Sequence, residues 1–309
     1  MNVPARSLHH LVWPVFLVLA LLLLGAGNQV LYGIAVPVAA LALVLVVPGT
    51  RARWALHVDR LDLAVVAGLY LGVVALFWLA FRGFTQQNTL GLFLSFAAGM
   101  LLGVVGPVVY TTWIRGRSLS ELGFRRDDLG RTLALGAGLA AVQFALTLWG
   151  YDLPQPVDWA PLLALSLTVG FFEVVFFRGF VQNRLEAGFG SVAGIGAAAI
   201  LYAAYHVGYG MGASEMLFLF GLGVVYAVAF ALVRSVLVLW PLLVPLGSFY
   251  NNLQGGEITM PWAAILGFAE VLALMLATVW LAARHERRRQ QKTPTRGPGS
   301  RPGRRGTPG

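Results

Sequence analysis

The chain has 309 residues, of which 58% are hydrophobic and only 11% charged, and it contains no cysteine. A soluble domain carries about 25% charged residues, so this chain has too little polar surface to cover a water-soluble fold and belongs in a bilayer. The absence of cysteine excludes disulfides, thiolate metal sites and a cysteine nucleophile. The formal net charge of +9 is concentrated at the end, because nine Lys or Arg and a single acid, Glu286, follow from position 284 onward. The remainder is close to neutral, which removes the argument for a nucleic-acid partner.

Apolar stretches of about 20 residues, the length that crosses a hydrocarbon core, recur along the chain. They predict an all-α, polytopic membrane bundle of about ten helices, at 10–26, 30–48, 61–81, 89–113, 131–150, 160–186, 191–208, 213–233, 235–253 and 261–283. Trp13, Trp78, Trp113, Trp159 and Trp262 lie near the ends of these stretches, where an aromatic belt would place them. Arg6 precedes the first stretch in the manner of a signal peptide, but with so many later spans it reads as an uncleaved anchor.

Ten spans put both termini on one side. That side then collects 20 of the 22 basic residues, leaving Arg82 on the other side and Arg178 inside a span. Short cytoplasmic loops are enriched in Lys and Arg, so both termini are expected in the cytoplasm. The chain divides into N-terminal transmembrane helices (1–114), a core (115–283) and a basic, Pro- and Gly-rich cytoplasmic tail (284–309) expected to be disordered. The tail has no interleaved aromatics to stack on bases, so its expected contact is with anionic headgroups of the lipid bilayer.

An ionisable residue in mid-bilayer costs about 2.5–3.5 kcal/mol by insertion scales and calls for a reason. Glu173, Arg178, His206 and Glu270 fall within predicted spans, joined by the uncharged Asn251 and Asn252. Glu173 and His206 each lie fifteen residues from the turn between spans six and seven, and Asn252 lies seventeen residues up span nine. At a rise of about 1.5 Å per residue these groups share one layer. A bundle builds a catalytic or metal site in that way, and interhelical hydrogen bonds that merely hold the bundle together would look the same. Glu270 has no partner identifiable from sequence. Arg178, near the inner end of its helix, could reach the interface by snorkelling.

The segment 171–210, FFEVVFFRGFVQNRLEAGFGSVAGIGAAAILYAAYHVGYG, resembles the core of the CPBP family of intramembrane proteases, which includes the CAAX prenyl endopeptidases. The family's EExxxR motif corresponds to Glu173 through Arg178, and its FxxxH motif to Tyr202 through His206. The resemblance, over roughly 115–253, implies hydrolysis of a peptide bond in a peptide or membrane-protein substrate within a bacterial cytoplasmic membrane. It implies Glu173 as general base on water, and His206 as metal ligand or electrostatic stabiliser.

Two departures bear on those roles. Val174 stands at the second Glu of EExxxR, so the usual i,i+4 partner of Arg178 is missing and Gln182 or a loop acid is the expected substitute. The third motif, HxxxN or HxxxD, should fall within 239–253, where no histidine occurs and Ser248 precedes Asn252 at that spacing. A Zn²⁺ ion implied by the family would then rest on His206 and Glu173, short of the three protein ligands such a site needs. A metal-free route, with His206, Ser248 or Asn252 stabilising the oxyanion, stands beside it. The alternative outside enzymology is a non-catalytic CPBP-like membrane protein that binds a partner or confers peptide immunity.

Overall fold

The computed structural model describes residues 29–46, 58–84, 89–125, 129–148, 155–243 and 262–292, together with Val15, Phe16, Val18, Leu19 and Leu22. Every regular element among them is helical, as expected where hydrocarbon offers the backbone no partner and each N–H must find a carbonyl on its own segment. The helices are α1 (Gln29–Val46), α2 (Arg60–Gly83), α3 (Thr89–Ile114), α4 (Leu129–Leu148) and α5, which runs from Pro156 to Phe189. They continue with α6 (Ser191–Tyr209), α7 (Ala213–Val233), α8 (Val236–Leu243) and α9 (Ala263–Lys292).

Among the described residues six helices are long and apolar enough to cross a membrane: α2, α3, α5, α6, α7 and α9. The apolar parts of α1 and α4, Ile34–Leu45 and Leu129–Ala145, are shorter. The ten spans read from sequence are thus matched by six at full length, while most of the first span and the second half of the ninth lie outside the described residues. The basic segment that opens at Arg284 is helical as far as Lys292 rather than disordered from its start. Its Arg, Glu, Gln and Lys residues are good helix formers, and they extend a helix already nucleated in the apolar stretch.

α5 is the centre of the bundle. Phe171, Phe172, Val174, Val175, Phe176, Phe177, Phe180 and Val181 are all buried, and α6, α7, α8 and α9 pack around them with α3. α7 lies between α6 and α1, α8 lies against α4, and α9 is the least buried of the six long helices. α5 and α6 form a tight hairpin. Gly190, with φ of 82°, makes the turn, and a side chain at Gly194 would meet the Glu186 backbone at 2.5 Å.

One end of the bundle is ionic. α2 is capped by Asp59, which accepts from the Leu61 and Asp62 amides at 3.0 and 3.2 Å. Asp59 and Asp62 are in turn bridged by Arg115 and Arg117, which follow α3. Arg184 near the end of α5 reaches Glu121 at 2.8 Å, and Arg234, just past α7, pairs with Glu186. The basic end of α9 closes on the same region, His285 lying on Trp113 with centroids 5.3 Å apart and Glu286 accepting from the Leu119 amide.

The 3-10 turn Leu119–Leu122 presses on α5 at Gly179, where a Cβ would sit 2.5 Å from the Leu122 carbonyl oxygen. Both sides of that contact are backbone and cannot swing away. Gly179→Ala is therefore expected to destabilise the protein by about 1–3 kcal/mol through overpacking. A lowered thermal midpoint in detergent checks it, and a midpoint equal to wild type would show that the turn can retreat.

Candidate intramembrane active site

The helix that carries Glu173 changes character at that residue. Pro156–Glu173 is α-helical, Val174–Gln182 is π-helical, and Asn183–Phe189 returns to α. In a π-helix the ring closes between i and i+5, so a residue five positions on falls back over the first. Glu173 and Arg178, about 140° apart on an ideal α-helix, are brought close enough to interact electrostatically. Such widened turns occur frequently at functional sites.

Glu173 is 4% exposed and faces α6. Its two carboxyl oxygens take different tyrosines of that helix. The Tyr205 hydroxyl donates to Oε1 and the Tyr202 hydroxyl donates to Oε2 at 3.3 Å. Two of roughly four acceptor positions on the carboxylate are thus used, and two remain for water or substrate.

His206 follows at the point where α6 tightens into the 3-10 turn His206–Tyr209. Its Nδ1 lies 2.9 Å from the Tyr202 carbonyl oxygen. A carbonyl only accepts, so Nδ1 carries the proton, and in the neutral imidazole Nε2 keeps its lone pair. The imidazole packs on the Tyr205 ring, centroids 4.0 Å apart, and edge-on to Tyr202 at 5.2 Å. Phe77 from α2 and Phe172 and Phe177 from α5 complete an aromatic wall around Tyr205. Tyr202 and Tyr205 thus link Glu173 to His206.

Arg178 does not snorkel. It is 1% exposed, with Cζ 4.9 Å above the Tyr202 ring. Gln182 is not its partner either: its Nε2 donates to Glu186 Oε1 and to the Ala227 carbonyl, each at 2.7 Å, and its Oε1 accepts no hydrogen bond among the described residues. Among the described residues neither Nη1 nor Nη2 of Arg178 has a hydrogen-bond partner. Four residues back along the helix stands Val174, which is buried and offers no acceptor.

Ser248, Asn251 and Asn252 lie outside the described residues. Glu270 is apart from this group, on the exposed side of α9. Among the described residues no three His, Asp or Glu side chains come together as metal ligands. Glu173 and His206 supply two donors, and a Zn²⁺ site needs at least three, so these residues alone do not fit the ion.

Sequence reasoning singled out Glu173, His206 and Arg178 but missed the two tyrosines as partners of the carboxylate. The signal was present in Tyr202-Ala203-Ala204-Tyr205-His206, where hydroxyl-bearing rings stand four and one residues before the histidine.

Residues 154–244 match the family model described as type II CAAX prenyl endopeptidase Rce1-like. Over that stretch, under a third of the chain, the protein resembles a CPBP-family core. The matched stretch includes the whole of α5, α6 and α7 and thus both motifs and all five side chains just described. Neither a curated protein nor a solved structure matches the chain. The CPBP core points to a membrane-embedded protease of CAAX type, and so to a hydrolase.

Proposed function

We propose that the protein is an intramembrane endopeptidase of CPBP type in which Glu173 is the general base. Glu173 takes a proton from a water whose oxygen attacks the peptide carbonyl carbon, and the same proton then passes to the leaving amine nitrogen. His206, with Nδ1 committed to the Tyr202 carbonyl, offers Nε2 to the water or to the reacting groups. Tyr202 and Tyr205 hold the carboxylate in place.

The observation that carries this reading is the placement of Glu173. A carboxyl group lies buried where a π-helical turn begins inside the family-matched segment, tied through Tyr202 to an imidazole and a guanidinium. The substrate class is a peptide or a membrane-protein segment entering from the bilayer. The site of action is a bacterial cytoplasmic membrane with both termini in the cytoplasm, which agrees with the clustering of arginines at one end of the bundle.

Purified protein in proteoliposomes should cleave an internally quenched farnesylated CAAX peptide. His206→Ala should lower that cleavage by about 10²-fold or more while the thermal midpoint stays near wild type. Equal cleavage by the two would remove His206 from the chemistry. Metal analysis of the same samples tests Zn²⁺: a stoichiometric ion lost in His206→Ala would mean that a third donor joins His206 and Glu173.

One observation favours a second reading. Both oxygens of Glu173 already accept a tyrosine hydroxyl, as they would in a purely structural polar cluster of a non-catalytic partner-binding or immunity protein. In that case Glu173→Gln lowers the thermal midpoint, and no peptide is cleaved by the wild type.

A further inference from the structure

The guanidinium of Arg178 is the most exceptional group in the bundle. It is 1% exposed, and its Nη1 and Nη2 lack hydrogen bonds among the described residues. Those two atoms carry four N–H donors, and a buried donor left unmade is costly. Gln182 Oε1 is likewise unpaired, but its two lone pairs could satisfy at most half of the four. The face of Tyr202 under Cζ steadies the cation without using any N–H. Tyr202 in turn donates to Glu173, so the free donors and the proposed base hang on one tyrosine.

We infer that Arg178 is the oxyanion-binding group of the reaction, a role that rests on the peptidase reading above. As Glu173 removes the proton from water and the water oxygen bonds to the carbonyl carbon, the carbonyl π electrons move to its oxygen. That oxygen accepts from Nη1 and Nη2. On collapse the electrons return, the C–N bond breaks, and the amine leaves with the proton from Glu173. A fork of two donors already stripped of water needs no reorganisation to meet the charge as it forms.

The probe is the farnesylated CAAX peptide with a phosphonate in place of the scissile amide, a tetrahedral anion, compared with the matched uncharged ketomethylene peptide. Wild type should prefer the phosphonate by tenfold or more. Arg178→Gln should lose that preference and lower kcat by about 10²–10³-fold with KM nearly unchanged, and Arg178→Lys should fall between. Glu173→Gln should cut cleavage by about 10²–10⁴-fold yet keep the preference.

Stability separates this role from a structural one. Among the described residues Nη1 and Nη2 of Arg178 make no hydrogen bond, so an apolar residue of similar length removes a desolvation cost that the Tyr202 face and the Glu173 charge offset only in part, and Arg178→Met should melt at or above the wild-type temperature. The inference fails if the phosphonate preference is absent in wild type or survives in Arg178→Gln, or if Arg178→Met melts well below wild type and Arg178→Lys restores it. Cleavage indifferent to Arg178 would sink the oxyanion role while leaving the peptidase standing. No cleavage by wild type, with an Arg178-dependent phosphonate preference, would sink the peptidase and leave an anion site.

Discussion

Glu173→Gln is expected to reduce peptide cleavage by about 10²–10⁴-fold, the contribution a positioned general base makes, with little change in the folded bundle. Glutamine keeps the length and shape of the side chain. Its amide oxygen can still accept from one tyrosine, and the other tyrosine hydroxyl can rotate to accept from the new NH₂, since a hydroxyl both gives and takes. What the amide cannot do is hold a proton in transit. The measurement is turnover of the quenched farnesylated peptide beside a thermal melt. Wild-type turnover from the variant would end the role of Glu173 as base. Glu173→Asp is a useful companion, because it keeps the carboxylate but withdraws it from Tyr205 by about one C–C bond, and partial activity is expected.

The layer that holds Glu173 and His206 was legible because its physics is written at single positions. A carboxylate and an imidazole within otherwise apolar stretches stand out, and a hairpin with a turn at Gly190 fixes their heights by counting. The number of full-length spans was less legible. Apolar composition marks which segments belong in hydrocarbon, but among the described residues the apolar parts of α1 and α4, Ile34–Leu45 and Leu129–Ala145, fall below the length of a full span. The π-helical turn was invisible to sequence periodicity. An argument from 3.6 residues per turn sets Glu173 and Arg178 far apart, and Val174–Gln182 departs from that period. The ionic cluster was half legible. Its arginines were read for their sidedness, while Asp59, Asp62 and Glu121 drew no attention because acids in loops and in the first turn of a helix are ordinarily solvated.

The tyrosines explain how one sequence can satisfy both bundle stability and reactivity. A carboxylate withdrawn from water needs donors, and Tyr202 and Tyr205 supply them without a second full charge in contact. Each also packs as an aromatic, Tyr205 between Phe77, Phe177 and His206. Fixing the hydroxyls through stacked rings keeps the carboxylate aimed along one direction, which a flexible Lys or Arg donor would not do. The cation in the layer, Arg178, is stabilised by a ring face instead, and so its donors stay available.

Asp62→Asn is expected to lower stability by about 3 kcal/mol, the low end for breaking a buried ion pair. Asp62 is 6% exposed. It accepts from the Tyr110 hydroxyl at 2.5 Å and from Arg117 Nη1 at 2.7 Å, with Arg184 Nε and Arg115 Nε each at 3.7 Å. Asparagine can keep the tyrosine contact, but it leaves three guanidinium groups around a neutral amide, and Arg184 is itself 94% buried. The partly exposed Arg115 and Arg117 can turn to water, which sets the loss at the lower bound. Glu121→Gln is the control. Its side chain is 41% exposed, its pair with Arg117 spans 3.8 Å, and in its 2.8 Å contact with Arg184 the glutamine oxygen can still accept, so a smaller loss than in Asp62→Asn, about 1 kcal/mol, is expected. A detergent melt of the two variants side by side decides, and equal midpoints would show that the cluster is surface decoration. Asp62 ties α2 and the segment after α3 to Arg184, which stands eleven residues beyond Glu173 on α5. That is more than two helical turns from the proposed base. Cleavage measured well below the melting point should therefore survive in Asp62→Asn, because the charge it removes anchors the helix and does not touch the reacting atoms.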